Sequence, residues 1–268
     1  TVVYTTDGSD PADSATAVTS KTLTIAALPT IVKARALKNG EYSALQELTY
    51  KSAAPVSDGY TFIFEGAYAG DQIIAPTGTE CVVVFSNATV ALTGELYSGY
   101  GDGSHGNAVK FYDCGEIDLP AGKNWYAGRG KGSYNNSILI SNTVVRTSQE
   151  VAVGGAADSH DNTVVLAGPL ARIEMSGKQR DMFNYGSQNK FVVTDGANLS
   201  VTATSLFAFK YATNSELIIE DGGSLTGSSL SISMGRGNSG LTAGNAITVR
   251  NGGSVAVGGE LNVYGRNN

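Results

Sequence analysis

The chain is poor in the residues that most enzymes and membrane proteins lean on. Of 268 residues only 2 are Cys, 2 are His, 1 is Trp and 6 are Pro, and Asp, Glu, Lys and Arg together supply 16%. Two Cys are too few for a disulfide-stapled scaffold or a multi-Cys zinc site. No apolar run approaches the ~18 residues that cross a bilayer as a helix, and no stretch carries a sustained helical period with caps. Positive charge is scarce as well: 24 acids against 18 bases leave −6. Residues 1–55 hold five of each, so the other 19 acids and 13 bases, and all the net charge, lie in 56–268. A nucleic-acid partner needs a basic stripe, which this balance excludes. What is abundant is Gly, at 34 residues, together with Ser, Thr and Asn. That combination reads as an all-β chain with many turns, not as disorder. The chain starts without Met inside a strand-like stretch, so a processed or partial piece of something longer is expected.

The strongest signal is a repeat. Six times an Asn precedes a short apolar strand: Asn107, Asn136, Asn162, Asn189, Asn214 and Asn245, at intervals of 29, 26, 27, 25 and 31. Such a period with one strand signature per unit marks a solenoid. A second strand follows the first turn (Ile117-Asp-Leu119, Ile173-Glu-Met175, Leu199-Ser-Val201, Val255-Ala-Val257). The turns Asp195-Gly-Ala-Asn-Leu199, Asp221-Gly-Gly-Ser-Leu225 and Asn251-Gly-Gly-Ser-Val255 supply the positive-φ corners. A third strand aligns as Leu96-Tyr-Ser, Trp125-Tyr-Ala, Val151-Ala-Val, Met182-Phe-Asn, Leu206-Phe-Ala, Leu230-Ser-Ile and Leu261-Asn-Val. The expectation is a right-handed parallel β-helix of about eight coils, three strands per coil, over 55–268. At ~4.8 Å per coil its body would be roughly 35–40 Å long. The repeated Asn is expected to be structural, either as an inward ladder of amides or as a turn residue tolerating left-handed backbone. Cys81 takes the place of the first Asn, and Cys114 follows the first turn of the next coil. Their separation of roughly 20 Å along extended chain exceeds disulfide reach.

Residues 1–54 read differently. A strand runs into the turn Asp7-Gly-Ser-Asp-Pro11, and Ile31, Lys33 and Arg35 alternate with Val32, Ala34 and Ala36, the period of a half-buried strand. Asp7, Asp10 and Asp13 are read as turn residues and not as Ca²⁺ ligands. Tyr4-Thr-Thr-Asp-Gly-Ser-Asp-Pro11 and Ile31-Val-Lys-Ala-Arg-Ala36, with Asn39-Gly40 and Tyr42-Ser43, resemble the small immunoglobulin-like module at the C-terminal side of chitobiases and in many bacterial surface proteins. The resemblance implies a β-sandwich spacer, here lacking the strands that usually precede the motif and so truncated or completed by another chain's strand. The solenoid portion resembles pectin-lyase-like β-helices and, in its Asn-Gly-Gly-Ser-Val turns, the passenger domains of bacterial autotransporters. Ala53-Ala-Pro-Val-Ser-Asp-Gly59 is the expected junction.

Chemistry is sparse. Ser104-His-Gly106 and Arg129-Gly-Lys131 echo part of a polygalacturonase pattern, without its acid motifs. His105 and His160 lie two coils apart, roughly 10 Å, too far to share a metal. Neither a metal nor any cofactor is implied. Glu150 and Asp181 align just before the third strand of successive coils, the one acid pair near the spacing of a retaining glycosidase. Glu95 and Glu260 hold the same place elsewhere, so the pair is read first as a solvated edge. Alternation in the third strand points Tyr97, Tyr126, Phe183, Tyr185, Phe207 and Phe209 outward, and an outward aromatic patch marks a partner or sugar-stacking face. The functional expectation is a non-enzymatic, secreted bacterial surface piece: a stalk or self-assembling filament subunit, without membrane insertion of its own. It would associate through the aromatic face, the open coil end or the N-terminal module. The alternative is glycan binding or polysaccharide cleavage by the β-helix.

Overall fold

This computed structural model describes all residues except 26–29, 51–58, 60, 71–72, 76–78, 178, 204, 228–230, 235–241 and 264–268. Most of the expected junction and Leu230 therefore lie outside the described residues. The described chain is all β, with no helix. Its main body is a parallel β-solenoid. Nine strands stack in parallel in one path: Thr22–Ile25, Thr61–Gly70, Val82–Leu92, Ala108–Asp118, Ser137–Thr147, Thr163–Ala167, Lys190–Thr194, Glu216–Ile219 and Ala246–Val249. A second sheet stacks eight strands from Ile73–Ala75 to Leu261–Val263. Between them, Arg172–Met175, Asn198–Val201, Ser224–Gly227 and Ser254–Val257 form the second strand of the later coils.

The two corners of the first strand have distinct causes. At its entry, Glu80, Asn135, Asp161, Gln188 and Asn214 have φ of 57°, 53°, 54°, 56° and 49°, and Gly106 and Gly244 fill the same place. Gly, Asn and Asp tolerate this left-handed turn, while Glu80 and Gln188 adopt it without that advantage. At its exit, Asn87, Asp113 and Asn142 turn the early coils within one 11-residue strand, whereas Asp195, Asp221 and Asn251 open the later Asp/Asn-Gly turns.

The core runs the length of the stack. Phe64, Phe85, Phe111 and Trp125 form a column with successive ring centroids 5.0, 5.1 and 5.2 Å apart. Offset ring stacking of this kind adds to area burial. Each coil thus packs on its neighbours, and stability accumulates along the axis.

The N-terminal residues form an antiparallel sheet of Val2–Thr5, Val18–Thr19, Thr30–Lys38, Glu41–Tyr42 and Gln46–Tyr50. Thr22–Ile25, which lies between its strands in sequence, leaves this sheet and pairs in parallel with Thr61–Phe64. Tyr4 donates its hydroxyl to Thr22 O at 2.7 Å, and Tyr4, Ile25 and Val32 share one core with Phe64 and Tyr68. The N-terminal segment therefore covers the apolar mouth of the first coil. Asp7 and Asp10 serve the turn: Asp7 accepts from Ser9 and Thr16, while Asp10 accepts from Ala12 N–H and from Arg35. The Arg35 guanidinium, with the Ala12 bond, lowers the Asp10 carboxyl to about 2.

The opposite end is open among the described residues. Val249, Val255 and Leu261 of the coil spanning 246–263 are 46%, 39% and 61% exposed. With Ile232, Ile247 and Val257 they line an apolar cavity of about 550 Å³.

Candidate functional site

The inward amide position forms a continuous hydrogen-bonded ladder. Asn107 Nδ2 donates to Asn136 Oδ1 (2.9 Å), Asn136 Nδ2 to Asn162 Oδ1 (3.0 Å) and Asn162 Nδ2 to Asn189 Oδ1 (3.2 Å). Each Oδ1 also accepts the backbone N–H one coil back. Cys81 begins the ladder, its N–H donating to Asn107 Oδ1 at 3.1 Å. Asn214 does not belong to it. The ladder passes through Ser215, whose Oγ accepts from Asn189 N–H (3.2 Å) and whose N–H donates to Asn245 Oδ1 (3.0 Å). Asn214 instead occupies the left-handed corner one residue earlier. Gly99 and Gly128 sit against the ladder, where a Cβ would collide with the amides of Asn136 and Asn162. Both Cys are buried thiols outside any disulfide, and burial pushes the Cys114 thiol up.

The outward aromatic patch is not assembled. Phe183 and Phe209 are fully buried and stack on one another at 4.7 Å. Alternation fails here because Met182 and Phe183, and likewise Ala208 and Phe209, are consecutive buried residues. Phe183 takes the register place of Val153, an inward residue. The side chain of Phe207 lies outside the described residues. Tyr97 and Tyr126 do point away from the main core, but they are buried with Ala152 in a small second cluster. Tyr100 packs on Tyr97 at 4.8 Å, and the Arg129 guanidinium lies 5.4 Å from the centre of the Tyr126 ring. Among the described side chains of this set only Tyr185 is exposed, at 37%, stacked on Tyr211 at 5.0 Å. Sequence inspection overlooked a further column, His105–Tyr134–His160, whose stacked rings are nearly parallel with centroids 4.6 and 5.2 Å apart. Each stands two residues before a ladder Asn, a spacing that is visible in the chain.

One polar cluster stands out beneath these aromatics. Tyr126 OH donates to Glu150 Oε2 at 2.9 Å. Asn184 Nδ2 donates to the same Oε2 at 3.1 Å and to Tyr126 OH at 2.8 Å. Lys210 Nζ pairs with Asp181 Oδ2 at 2.5 Å. Asp181 and Asn184 are only 4% and 7% exposed. Asp181 Oδ1 and Asn184 Oδ1 are buried with no hydrogen-bond partner among the described residues. Burial first, and the nearby Asp181 charge second, hold the Glu150 carboxyl above the usual glutamate range. Burial and Glu150 hold the Tyr126 phenol well above its own. Asp181 is buried and Glu150 part-buried, so this place is not the fully solvated edge expected of it.

The remaining polar feature is a groove of about 620 Å³ beside the second strands, lined in part by Asp118, Arg146, Ser148, Glu174, Ser176 and Thr202. Arg146 bridges Glu116 and Glu174 across it, the latter at 2.9 Å. Among the described residues no three His, Cys, Asp or Glu side chains are grouped to hold a metal. No family model, no curated protein and no solved structure matches this chain.

Proposed function

We propose that this chain is a structural element of the bacterial cell surface: a stiff solenoid, right-handed and of about eight coils, that joins end to end with further copies. In this reading residues 1–54 are an immunoglobulin-like module of the chitobiase type that closes one end. The observation that carries the proposal is the apolar mouth formed by Ile247, Val249, Val255, Val257 and Leu261. Apolar core positions exposed among the described residues of this last coil suit burial against another chain. The interior explains the stiffness, since the amide ladder and ring column resist both bending and slippage of register. Electron micrographs of concentrated protein test the proposal. Rods joined at their ends support it; single short particles at every concentration reject it.

A second reading rests on the groove beside Asp118, Arg146, Glu174 and Thr202, whose mix of hydroxyls and charged groups suits an extended glycan. Binding of an acidic or neutral oligosaccharide, lost on Arg146→Ala, would favour it. No binding to any of a panel of polysaccharides would remove it.

A further inference from the structure

We propose that a row of side chains just past the third strand binds an acidic oligosaccharide. Arg129 holds the carboxylate of one sugar ring, and Tyr100 and Tyr185 pack against neighbouring rings. The row follows from register. Ser98 pairs with Ala127, Ala127 with Val153, Val153 with Phe183 and Phe183 with Phe209. Two residues beyond these positions stand Tyr100, Arg129, Gly155, Tyr185 and Tyr211, one on each successive coil. The ladder carries on that far. Arg129 N–H donates to Gly99 O at 2.8 Å, Gly155 N–H to Gly128 O at 2.8 Å and Tyr185 N–H to Gly154 O at 3.3 Å. At ~4.8 Å per coil the row is roughly 19 Å long. It is open to solvent: Tyr100 is 52% and Tyr185 37% exposed, and Arg129 is exposed as well.

The guanidinium is set in place before any ligand arrives. The Arg129 side chain crosses Gly155, where an added Cβ would lie 2.6 Å from its Cδ, and donates to Gly155 O at 3.1 Å. It also lies over the buried Tyr126 ring. Such pre-organisation lowers the entropy cost of binding. Arg35, Arg146, Arg172 and Arg250 each pair with a carboxylate, whereas Arg129 pairs with none among the described residues. An exposed guanidinium without an acid is matched in shape and charge by a planar carboxylate. Tyr100 packs on Tyr97 to one side of it. To the other side Tyr185 has one face covered by Tyr211 and the opposite face turned toward the coil of Gly155. Each tyrosine offers an apolar ring and a hydroxyl, the two kinds of surface that a sugar ring also presents. The net charge of −6 repels a dense polyanion such as nucleic acid, so the ligand that fits carries its carboxylate among neutral rings. This row is separate from the groove beside Arg146, which follows the second strands.

The test uses the complete chain. The probe is a hexasaccharide alternating glucuronic acid with N-acetylglucosamine, and the same sugar carboxyl-reduced is its neutral control. Calorimetry measures binding, and the ¹H–¹⁵N signal of Arg129 Nε–H locates it. The acidic sugar should bind and shift that signal. The reduced sugar should bind at least about tenfold more weakly, the worth of one charge-assisted hydrogen bond. Arg129→Gln should lose a similar factor, Tyr100→Ala and Tyr185→Ala should each bind severalfold more weakly, and Arg146→Ala should bind as the wild type does. The comparison of the two sugars needs no variant, so it decides the matter even where a substitution disturbs the fold. The inference is overturned if the acidic sugar does not bind, if its reduced form binds equally well, or if Arg129→Gln leaves binding unchanged. It is overturned too if Arg146→Ala abolishes binding, which would put the sugar in the groove, or if a poly-glutamate peptide binds more tightly than the sugar.

Discussion

Replacing Asn162 by Ala probes the interior ladder at its middle. Asn162 Oδ1 accepts from the backbone N–H and the amide of Asn136, both at 3.0 Å, and its Nδ2 donates to Ser133 O and Asn189 Oδ1, both at 3.2 Å. Three of the four partners keep another bond: Asn136 Nδ2 to Ser104 O, Ser133 O from His160 N–H, and Asn189 Oδ1 from the residue 162 N–H. The Asn136 N–H is left with none. One orphaned buried donor costs ~1–3 kcal/mol and each of the three other lost bonds ~0.5–1.5 kcal/mol, so Asn162→Ala should cost about 2.5–7.5 kcal/mol. Asn214→Ala is the control. It removes an Asn of the same repeat that serves only the left-handed corner, and should cost about 1 kcal/mol through backbone strain. Asn162→Ser should fall between, because Ser215 already shows that a hydroxyl can accept the N–H. Urea unfolding with unchanged m-values measures all three. Costs for Asn162→Ala and Asn214→Ala that agree within about 1 kcal/mol would refute the ladder as a stabilising device.

Other consequences are equally direct. Gly128→Ala forces a Cβ into the Asn162 amide at a φ of +74°, whereas Gly132, at +62°, has open space around it. The first should unfold far more easily than the second, whose cost should stay near 1 kcal/mol in the same denaturation assay. Phe183→Ser should lower stability by about 3–5 kcal/mol, the cost of emptying a core aromatic site, and any loss of assembly seen by sedimentation should follow unfolding. In the N-terminal sheet, the Asp10 carboxyl is held down to about 2. The Asp10–Arg35 contribution is therefore present above the ordinary Asp value and lost as pH falls toward about 2. Arg35→Gln should raise the Asp10 titration, followed by carboxyl NMR, part of the way toward the ordinary range, because the Ala12 N–H bond remains.

The solenoid was legible because its corners are chemically explicit. An Asn repeating near one interval, with Asp/Asn-Gly turns, reports backbone geometry through residue type. The same residue type misled at one place. Asn suits both the left-handed corner and the inward ladder, so Asn214 was read as the partner of Asn189 when Ser215 holds that position. The pairs Asn135–Asn136, Asp161–Asn162 and Gln188–Asn189 carry the missing clue, a turn residue directly before each ladder residue. The aromatic patch failed for a different reason. Alternation presumes regular pleating, and the runs Met182-Phe183 and Ala208-Phe209 are both buried, which no period-2 rule anticipates. The polar cluster was only half visible: the repeat places Glu150 and Asp181 at equivalent positions, whereas the register pairs Val153 with Phe183, one residue off that alignment, and Asp181 with Phe207. Asn184, Tyr126 and Lys210 carry no sequence signal for joining them. The crossing of Thr22–Ile25 into the solenoid is a non-local pairing with no local signature.

Sedimentation equilibrium over a wide range of concentrations, on the wild type and on Leu261→Glu, tests the central claim most directly. The account predicts concentration-dependent association of the wild type through the apolar mouth and a monomer for the variant, whose charge sits in that mouth. A wild type that remains monomeric throughout, or a variant that associates equally well, would contradict it.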